Sequence, residues 1–162
     1  MMPWVTTGFD GVTSARDVLT QAVHMFVSGA TGFAVFAMAA DGDWDSWGNM
    51  LSFSRAVELI LPYEDFVALG TVAFDAVQAT SNVRAVSAMS YQGKYLIALT
   101  AVDEAVAMHV TVNASSTTGF ELRDVVRNGS SSLPGKCAAF EVQQHSRPGG
   151  FALVVLAPKS PR

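Results

Sequence analysis

Residues 85–102 have the sequence AVSAMSYQGKYLIALTAV, two apolar runs joined at Gln92-Gly93. Both runs contain the β-branched and aromatic residues that are typical of strands. Glycine adopts positive φ angles without steric cost, so a tight turn at Gln92-Gly93 is favourable. The stretch therefore predicts a β-hairpin.

The rest of the second half of the chain continues this pattern. Short apolar segments follow one another, separated by Ser-rich or Pro-Gly turns, and a helical period is absent. The further predicted strands are EAVAMHVTVNAS (104–115), GFELRDVV (119–126), KCAAFEVQ (136–143) and GGFALVVLA (149–157). About five to seven strands with a turn roughly every ten residues predict an antiparallel β-sandwich.

Before residue 70 the pattern is different. A helical period between Val18 and Gly29 predicts one helix, and a second is predicted from about Asn49 to Pro62. Residues 31–40 (TGFAVFAMAA) are apolar on both faces, which is typical of a buried parallel strand. Residues 3–9 (PWVTTGF) predict an earlier strand, and PYEDFVALG (62–70) predicts a short helical turn ending at Gly70.

The alternation of strand and helix indicates two βα units. The predicted fold class is therefore α+β, with two βα units in residues 1–70 followed by an antiparallel β-sandwich in residues 71–162. We expect two domains with that boundary.

Composition excludes several function classes. The net charge is −4, and the ten Lys and Arg residues are scattered without a basic stripe, so we expect no nucleic-acid partner. The longest uncharged run, about Val18 to Ala40, favours helix, turn and strand over a membrane span. A single cysteine, Cys137, and the lack of a His pair at metal-ligand spacing predict no metal and no cofactor. Residues 1–11 lack the features of a signal peptide, so the compartment is not predicted.

The segment DGDWDSW (41–47) contains three aspartates and two tryptophans between a predicted strand and a predicted helix. Two interpretations are open. The segment is a binding site, or it is a solvated loop in which Asp45 or Asn49 caps the next helix and favours its dipole. For each single aspartate the structural interpretation is favoured.

The aspartate spacing in this segment also resembles a calcium-binding loop. An EF-hand needs Gly at the sixth position and Glu at the twelfth. Counted from Asp41, those positions hold Ser46 and Ser52. The segment therefore predicts no metal site.

The order of parts resembles the C-terminal portion of many glycoside hydrolases, in which a (β/α)8 catalytic barrel precedes an all-β domain. The resemblance covers nearly the whole chain. It rests on PWVTTGFDG (3–11), QAVHMFVSGATGFAVFAM (21–38), VELILPYEDFVALG (57–70), YQGKYLIALTA (91–101) and PGGFALVVL (148–156). It implies that residues 1–70 are a partial TIM barrel, and that the parent protein belongs to a class whose members are frequently secreted.

The resemblance also implies candidate site residues. A loop after a barrel strand faces the active site, so Trp44 and Trp47 would stack on sugar rings while Asp41 and Asp45 would bind hydroxyls. The nucleophile position of the barrel clan corresponds to the end of the first strand, where the one carboxylate is Asp10. Asp10 precedes a glycine, and an Asp-Gly pair is common in turns. A structural role in a turn is therefore the favoured interpretation of Asp10.

A complete catalytic site is not predicted. A (β/α)8 barrel needs eight strands and about 250 residues, and two candidate strands are present. Glycosidases need two carboxylates flanking the glycosidic bond; Asp10 and Asp43 are weak candidates. We therefore expect a C-terminal portion of a glycoside-hydrolase-like protein that is not catalytic alone.

The alternative hypothesis is a self-contained β-sandwich module that binds a glycan or a protein. In the first case the partners are a carbohydrate substrate or the remainder of a barrel. Uncovered barrel edges would also favour homo-oligomers, since exposed strand edges pair with other chains.

Overall fold

The structure is a computed structural model of the 162-residue chain. It describes residues 4–7, 15–32, 34–37, 44–134, 137–143 and 150–160. No helix in this described part is both long and apolar enough to cross a membrane.

The N-terminal part alternates strands and helices. Its elements in chain order are β1 (Trp4–Thr7), α1 (Ala15–Val27), β2 (Ala34–Ala37) and α2 (Trp44–Ile60). Strands β1 and β2 pair in parallel, which requires a crossover connection, and α1 lies between them in the chain. These are the two predicted βα units. Two strands do not close a barrel, so the partial TIM barrel stays a prediction.

Helix α2 begins earlier than the sequence pattern indicates. It starts at Trp44 rather than near Asn49, so Trp44, Asp45 and Trp47 lie in its first turn and not in a loop. An acidic residue in the first turn is favourable because it faces the positive end of the helix dipole. Asn49 is the sixth residue of α2 and cannot cap it, so that part of the prediction is wrong.

The helical part ends as predicted. A 3-10 turn (Leu61–Tyr63) follows α2 because Pro62 cannot continue its hydrogen-bond ladder, and α3 (Glu64–Leu69) follows directly. Gly70 then leads into the first strand of the β region. A Cβ at Gly70 would overlap the carbonyl oxygen of Phe66, so glycine is the residue that fits at this junction.

The strands of the β region form two antiparallel sheets. In the described residues they are β3 (Thr71–Val72), β4 (Val77–Ser81), β5 (Val83–Tyr91), β6 (Lys94–Ala101), β7 (Met108–Ser115), β8 (Phe120–Asp124), β9 (Gly129–Leu133), β10 (Cys137–Val142) and β11 (Phe151–Pro158). One sheet has six strands in the order β3-β5-β6-β11-β8-β9, and the other has three in the order β10-β7-β4. This arrangement is consistent with the predicted β-sandwich, and the fold class is α+β.

The predicted hairpin is confirmed as β5 and β6. Tyr91 pairs with Lys94, and the turn residues Gln92 and Gly93 have φ angles of 49° and 73°. The Ser-rich segment Gly129–Leu133 is predicted as a turn but is β9, the edge strand of the large sheet. Its side chains are mostly exposed, so it forms from backbone hydrogen bonds to β8 without an apolar pattern.

The six-stranded sheet is the middle layer of three. Its inner face packs on the three-stranded sheet through side chains such as Ile97, Leu99 and Phe120. Its other face packs on α1 and α2 through side chains such as Leu96 and Leu153. Burying each such side chain stabilises the fold by about 1.5–3 kcal/mol. The predicted division at residue 70 stays a prediction.

Candidate functional site

The residues predicted to form a site lie near the start of α2 and in the connections before it. Trp44, Asp45 and Trp47 are in the first turn of α2. Asp10, Asp41 and Asp43 lie outside the described residues. A role for these residues in substrate binding or catalysis stays a prediction.

Asn49, two turns into the same helix, has an unusual environment. Its side chain is 2% exposed, and Nδ2 has no hydrogen-bond partner among the described residues. Leaving a buried donor unpaired costs about 1–3 kcal/mol. A group that accepted a hydrogen bond from Nδ2 would recover that free energy.

A cleft of about 390 Å³ lies between α3 and the exposed part of the six-stranded sheet, which we call the tyrosine cleft. Tyr63 and Tyr91 line it together with Phe66. The Phe66 ring makes edge-to-face contacts with both tyrosines, with ring centroids 6.4 Å from Tyr63 and 5.9 Å from Tyr91. Phe66 is buried and therefore holds the two half-buried tyrosine rings in position.

Four charged side chains surround the tyrosine cleft. They are Asp65 on α3, Lys94 on β6, and Glu121 and Arg123 on β8. Glu121 and Arg123 alternate with Phe120 and Leu122, which point into the core between the sheets, so both charged residues face the helical side of the sheet. Two carboxylates and two cations leave the cleft without net charge.

Most of these charged groups are available to a ligand. The side chains of Asp65, Lys94 and Glu121 make no hydrogen bond or ion pair with any other described residue. Arg123 Nη2 lies 3.5 Å from Asn128 Oδ1, a long and weak hydrogen bond. The cleft therefore combines rigid aromatic walls with polar groups that lack protein partners.

The tyrosine cleft could not be predicted from the sequence. Its tyrosines belong to a 3-10 turn and to a hairpin strand, and the charges on β8 are farther along the chain. A signal was present at one position only, since Tyr91 adjoins the predicted turn at Gln92-Gly93. Nothing in the sequence brings Tyr63 and Glu121 together.

A second polar cluster lies between α1 and the six-stranded sheet. His24 Nδ1 is 2.9 Å from Ser87 Oγ, and Nε2 is 2.8 Å from Thr100 Oγ1. Ser28 Oγ lies 2.7 Å from the His24 carbonyl oxygen and 3.0 Å from Ser87 Oγ. Phe151 contacts the imidazole edge-on with its ring centroid 6.3 Å away. Burial lowers the pKa of His24 from 6.5 to about 4, so the ring is neutral at pH 7.

This cluster is suited to holding α1 on the sheet rather than to catalysis. A Ser-His nucleophile needs an open cleft and a third group that orients the base. The His24 side chain is half-buried, and among the described residues its ring nitrogens bond the hydroxyl groups of Ser87 and Thr100. His24 is therefore a half-buried structural residue of α1.

The exposed side of α2 carries several apolar side chains beside the exposed ion pair of Arg55 and Glu58. Met50, Val57 and Leu61 follow at i, i+7 and i+11 and are exposed, and Leu51 next to them is 71% exposed. Val57 and Leu61 also line a groove of about 260 Å³ between α1, α2 and α3, together with Phe26. We call this surface, formed by Met50, Leu51, Val57, Leu61 and the groove, the apolar α2 surface.

The comparisons with known proteins give a similarity of fold. The chain is similar to the alpha-amylase of Geobacillus thermoleovorans, solved in complex with acarbose, at 12% identity and a TM-score of 0.58. It is similar to the alpha-fucosidase of Thermotoga maritima at 9% identity and a TM-score of 0.57, and to a maltogenic alpha-amylase of Thermotoga neapolitana at 8% and 0.54. No protein-family model and no curated protein sequence matches the chain.

These solved structures are glycoside hydrolases, and this chain corresponds to part of each. The aligned region covers 90% of this chain and 34% of the G. thermoleovorans amylase. For the two Thermotoga enzymes it covers 95% of this chain and 39% or 40% of theirs. The chain therefore has the fold of a region that makes up little more than a third of these enzymes, which is consistent with a C-terminal portion.

Proposed function

We propose that the chain is the C-terminal portion of a glycoside-hydrolase-like, carbohydrate-active protein and supports a catalytic barrel without catalysing a reaction alone. The observation that supports this most strongly is the fold similarity, which covers nearly all of this chain and little more than a third of three glycoside hydrolases. A region of this kind contributes stability and shape to an active site that other parts of the protein complete.

The apolar α2 surface supports the proposal because it is suited to contact with neighbouring βα units. Leu51 and Leu61 expose 71% and 61% of their surface. Exposed apolar side chains grouped on one helix are consistent with an interaction site. In a (β/α)8 barrel, adjacent helices pack side by side on the outside of the strands. Because α1 already packs on one side of α2, the proposed occupant is the first helix of such a barrel, which closes the ring beside the last one.

The parallel pair β1–β2 supports the same proposal. Parallel strands occur almost exclusively in sheets whose faces are covered and whose other strands continue the ladder. In the described residues this sheet has two strands, and both have one unpaired edge. Further parallel strands would pair with these edges, and the unpaired Asn49 amide lies on the adjoining helix, where such a unit could supply an acceptor.

The proposal assigns the predicted site residues to substrate binding. Trp44 and Trp47 lie after the carboxyl end of β2, and barrel enzymes place their active sites at that end of the strands. There Trp44 and Trp47 would stack on a sugar while Asp41 and Asp45 bind its hydroxyls. Asp10 and Asp43 stay the weak candidates for catalysis.

The proposal is tested on the chain expressed alone. Because the apolar α2 surface would then be uncovered, we expect binding of a hydrophobic dye and self-association in light scattering. The double variant Leu51→Lys, Leu61→Lys should reduce both signals. The matched control Gln78→Lys, Ser131→Lys adds the same charge at two exposed polar positions of the β region and should change neither.

A monomeric chain that does not bind the dye would contradict the proposal. That result would favour the alternative, a self-contained sandwich module that binds a glycan or protein. The tyrosine cleft is the observation that keeps this alternative in view, since it provides a binding surface without any contribution from a barrel.

A further inference from the structure

We propose that the tyrosine cleft binds a neutral oligosaccharide. This site is separate from the apolar α2 surface and from the predicted site at the start of α2. It would bind sugar whether or not a barrel packs against the chain, so it goes beyond the proposed function. The proposal rests on the aromatic walls of the cleft, the unpaired polar groups around it, their charge balance and its size.

The aromatic walls match the apolar side of a sugar ring. Tyr63 and Tyr91 each present a ring that is fixed by an edge contact with buried Phe66. A fixed ring loses little conformational entropy when a ligand binds, so more of the contact free energy remains as affinity. The C–H groups on one side of a pyranose carry partial positive charge and are attracted to the negative face of an aromatic ring.

The polar groups match the hydroxyls of a sugar. Each hydroxyl both donates and accepts a hydrogen bond, so sugar binding requires acceptors and donors side by side. Asp65 and Glu121 supply carboxylate acceptors, and Lys94 supplies ammonium donors. Because these three side chains have no hydrogen-bond partner among the described residues, a ligand would not have to break protein contacts to reach them. Hydrogen bonds to charged groups are also stronger than those between neutral groups.

Charge balance favours a neutral ligand over a phosphorylated or sulfated one. An anion attracted to Lys94 and Arg123 would meet Asp65 and Glu121 in the same cleft. Repulsion from the two carboxylates would offset the attraction to the two cations. A volume of about 390 Å³ lies within the range of about 300–1,000 Å³ for ligand sites. The cleft is partly open to solvent, which allows a chain of sugars to extend beyond it.

The experiment is a titration of the whole isotopically labelled chain with maltoheptaose, cellohexaose and xylohexaose, followed by NMR. We expect at least one of them to shift the amide signals of Tyr91, Gln92 and Glu121 with a Kd of about 0.1–1 mM, as for an exposed small-ligand site. Tyr63→Ala should weaken that binding about tenfold or more. The control Phe74→Ala removes an exposed aromatic ring outside the cleft and should leave the Kd unchanged.

A second variant covers the case in which Tyr63→Ala does not fold. Glu121→Gln keeps the shape of an exposed side chain and removes one charged acceptor, so we expect about a fivefold weaker Kd. The proposal is overturned if none of the three oligosaccharides, added to about 10 mM, shifts the amide signals of Tyr91, Gln92 and Glu121. That concentration is about ten times the weakest expected Kd. The proposal is also overturned if inorganic phosphate or an acidic hexapeptide binds the cleft more tightly than every neutral sugar.

Discussion

The imidazole of His24 makes the stability of the fold depend on pH in a predictable way. His24 lies between α1 and the six-stranded sheet, where burial lowers its pKa from 6.5 to about 4. In the unfolded chain the same side chain regains its ordinary pKa. Between pH 6.5 and pH 4 the unfolded state therefore binds a proton that the folded state does not. Stability rises with pH wherever the unfolded state binds more protons, so acidification through this window destabilises the fold.

The magnitude follows from the size of the shift. A difference of one pKa unit corresponds to about 1.4 kcal/mol, so a shift from 6.5 to about 4 corresponds to about 3 kcal/mol. The contribution is absent above pH 6.5, where His24 is neutral in both states. It reaches its full size near pH 4 and does not grow further below that pH.

The assay compares the wild type with His24→Gln in denaturant unfolding at pH 7 and pH 4. Glutamine can still bond one of the two hydroxyls at Ser87 and Thr100 but does not titrate. Carboxylates titrate in both proteins, so the difference between their losses isolates the imidazole. We expect the wild type to lose about 3 kcal/mol more than His24→Gln between the two pH values.

Equal losses in the wild type and His24→Gln would refute this account of the buried imidazole. An NMR titration gives an independent check, because the ring protons of His24 should titrate near pH 4 rather than near pH 6.5. A titration midpoint near pH 6.5 would mean that water reaches the imidazole. The contact between α1 and the sheet would then be looser than the hydrogen bonds of His24 to Ser87 and Thr100 indicate.

Two further predictions concern the backbone. Gly70→Ala should destabilise the fold by about 1–3 kcal/mol in thermal or denaturant unfolding, because the added Cβ meets the Phe66 carbonyl oxygen. The control Gly48→Ala adds a Cβ in open space on α2 and should stabilise the fold by about 0.5–1 kcal/mol. An unchanged free energy of unfolding in Gly70→Ala would show that the junction can relax. Asn82 has a φ of 52°, and its side chain bonds the loop after β6 at the Asp103 amide and at the Asp103 and Val106 carbonyls. Asn82→Ala should therefore lower the free energy of unfolding by about 2–4 kcal/mol. In the control Asn128→Ala, the replaced asparagine has the same φ of 52° but accepts one long hydrogen bond. An equal loss of stability in both variants would show that the loop contacts of Asn82 contribute nothing.

Local patterns in the sequence were sufficient for most elements of the fold. The hairpin follows from Gln92-Gly93 because that turn depends on neighbouring residues alone. The end of α2 follows from Pro62 for the same reason, since proline acts on its own turn of helix. The start of α2 was predicted too late, because the acidic first turn around Trp44 has the composition of a loop. Strand β9 was missed because an edge strand needs a partner and not an apolar pattern.

The candidate sites depended on contacts between distant residues. Tyr63 and Tyr91 face the same cleft because α3 packs on β5, and their sequence neighbours do not indicate this. The neutral imidazole of His24 likewise results from burial against β5 and β6, which the helical pattern around it could not show.

The sequence by itself determined most of the strands, the presence of the helices and the α+β class, because turns and periodicity are properties of neighbouring residues. Tertiary structure alone decided that the six-stranded sheet is a middle layer, with Leu96 facing the helices and Ile97 facing the second sheet. A fully apolar strand has no alternation to distinguish its two faces. Packing between segments far apart in the chain decides which face of the sheet meets each layer. It also decides which polar groups meet at the edge of the sheet.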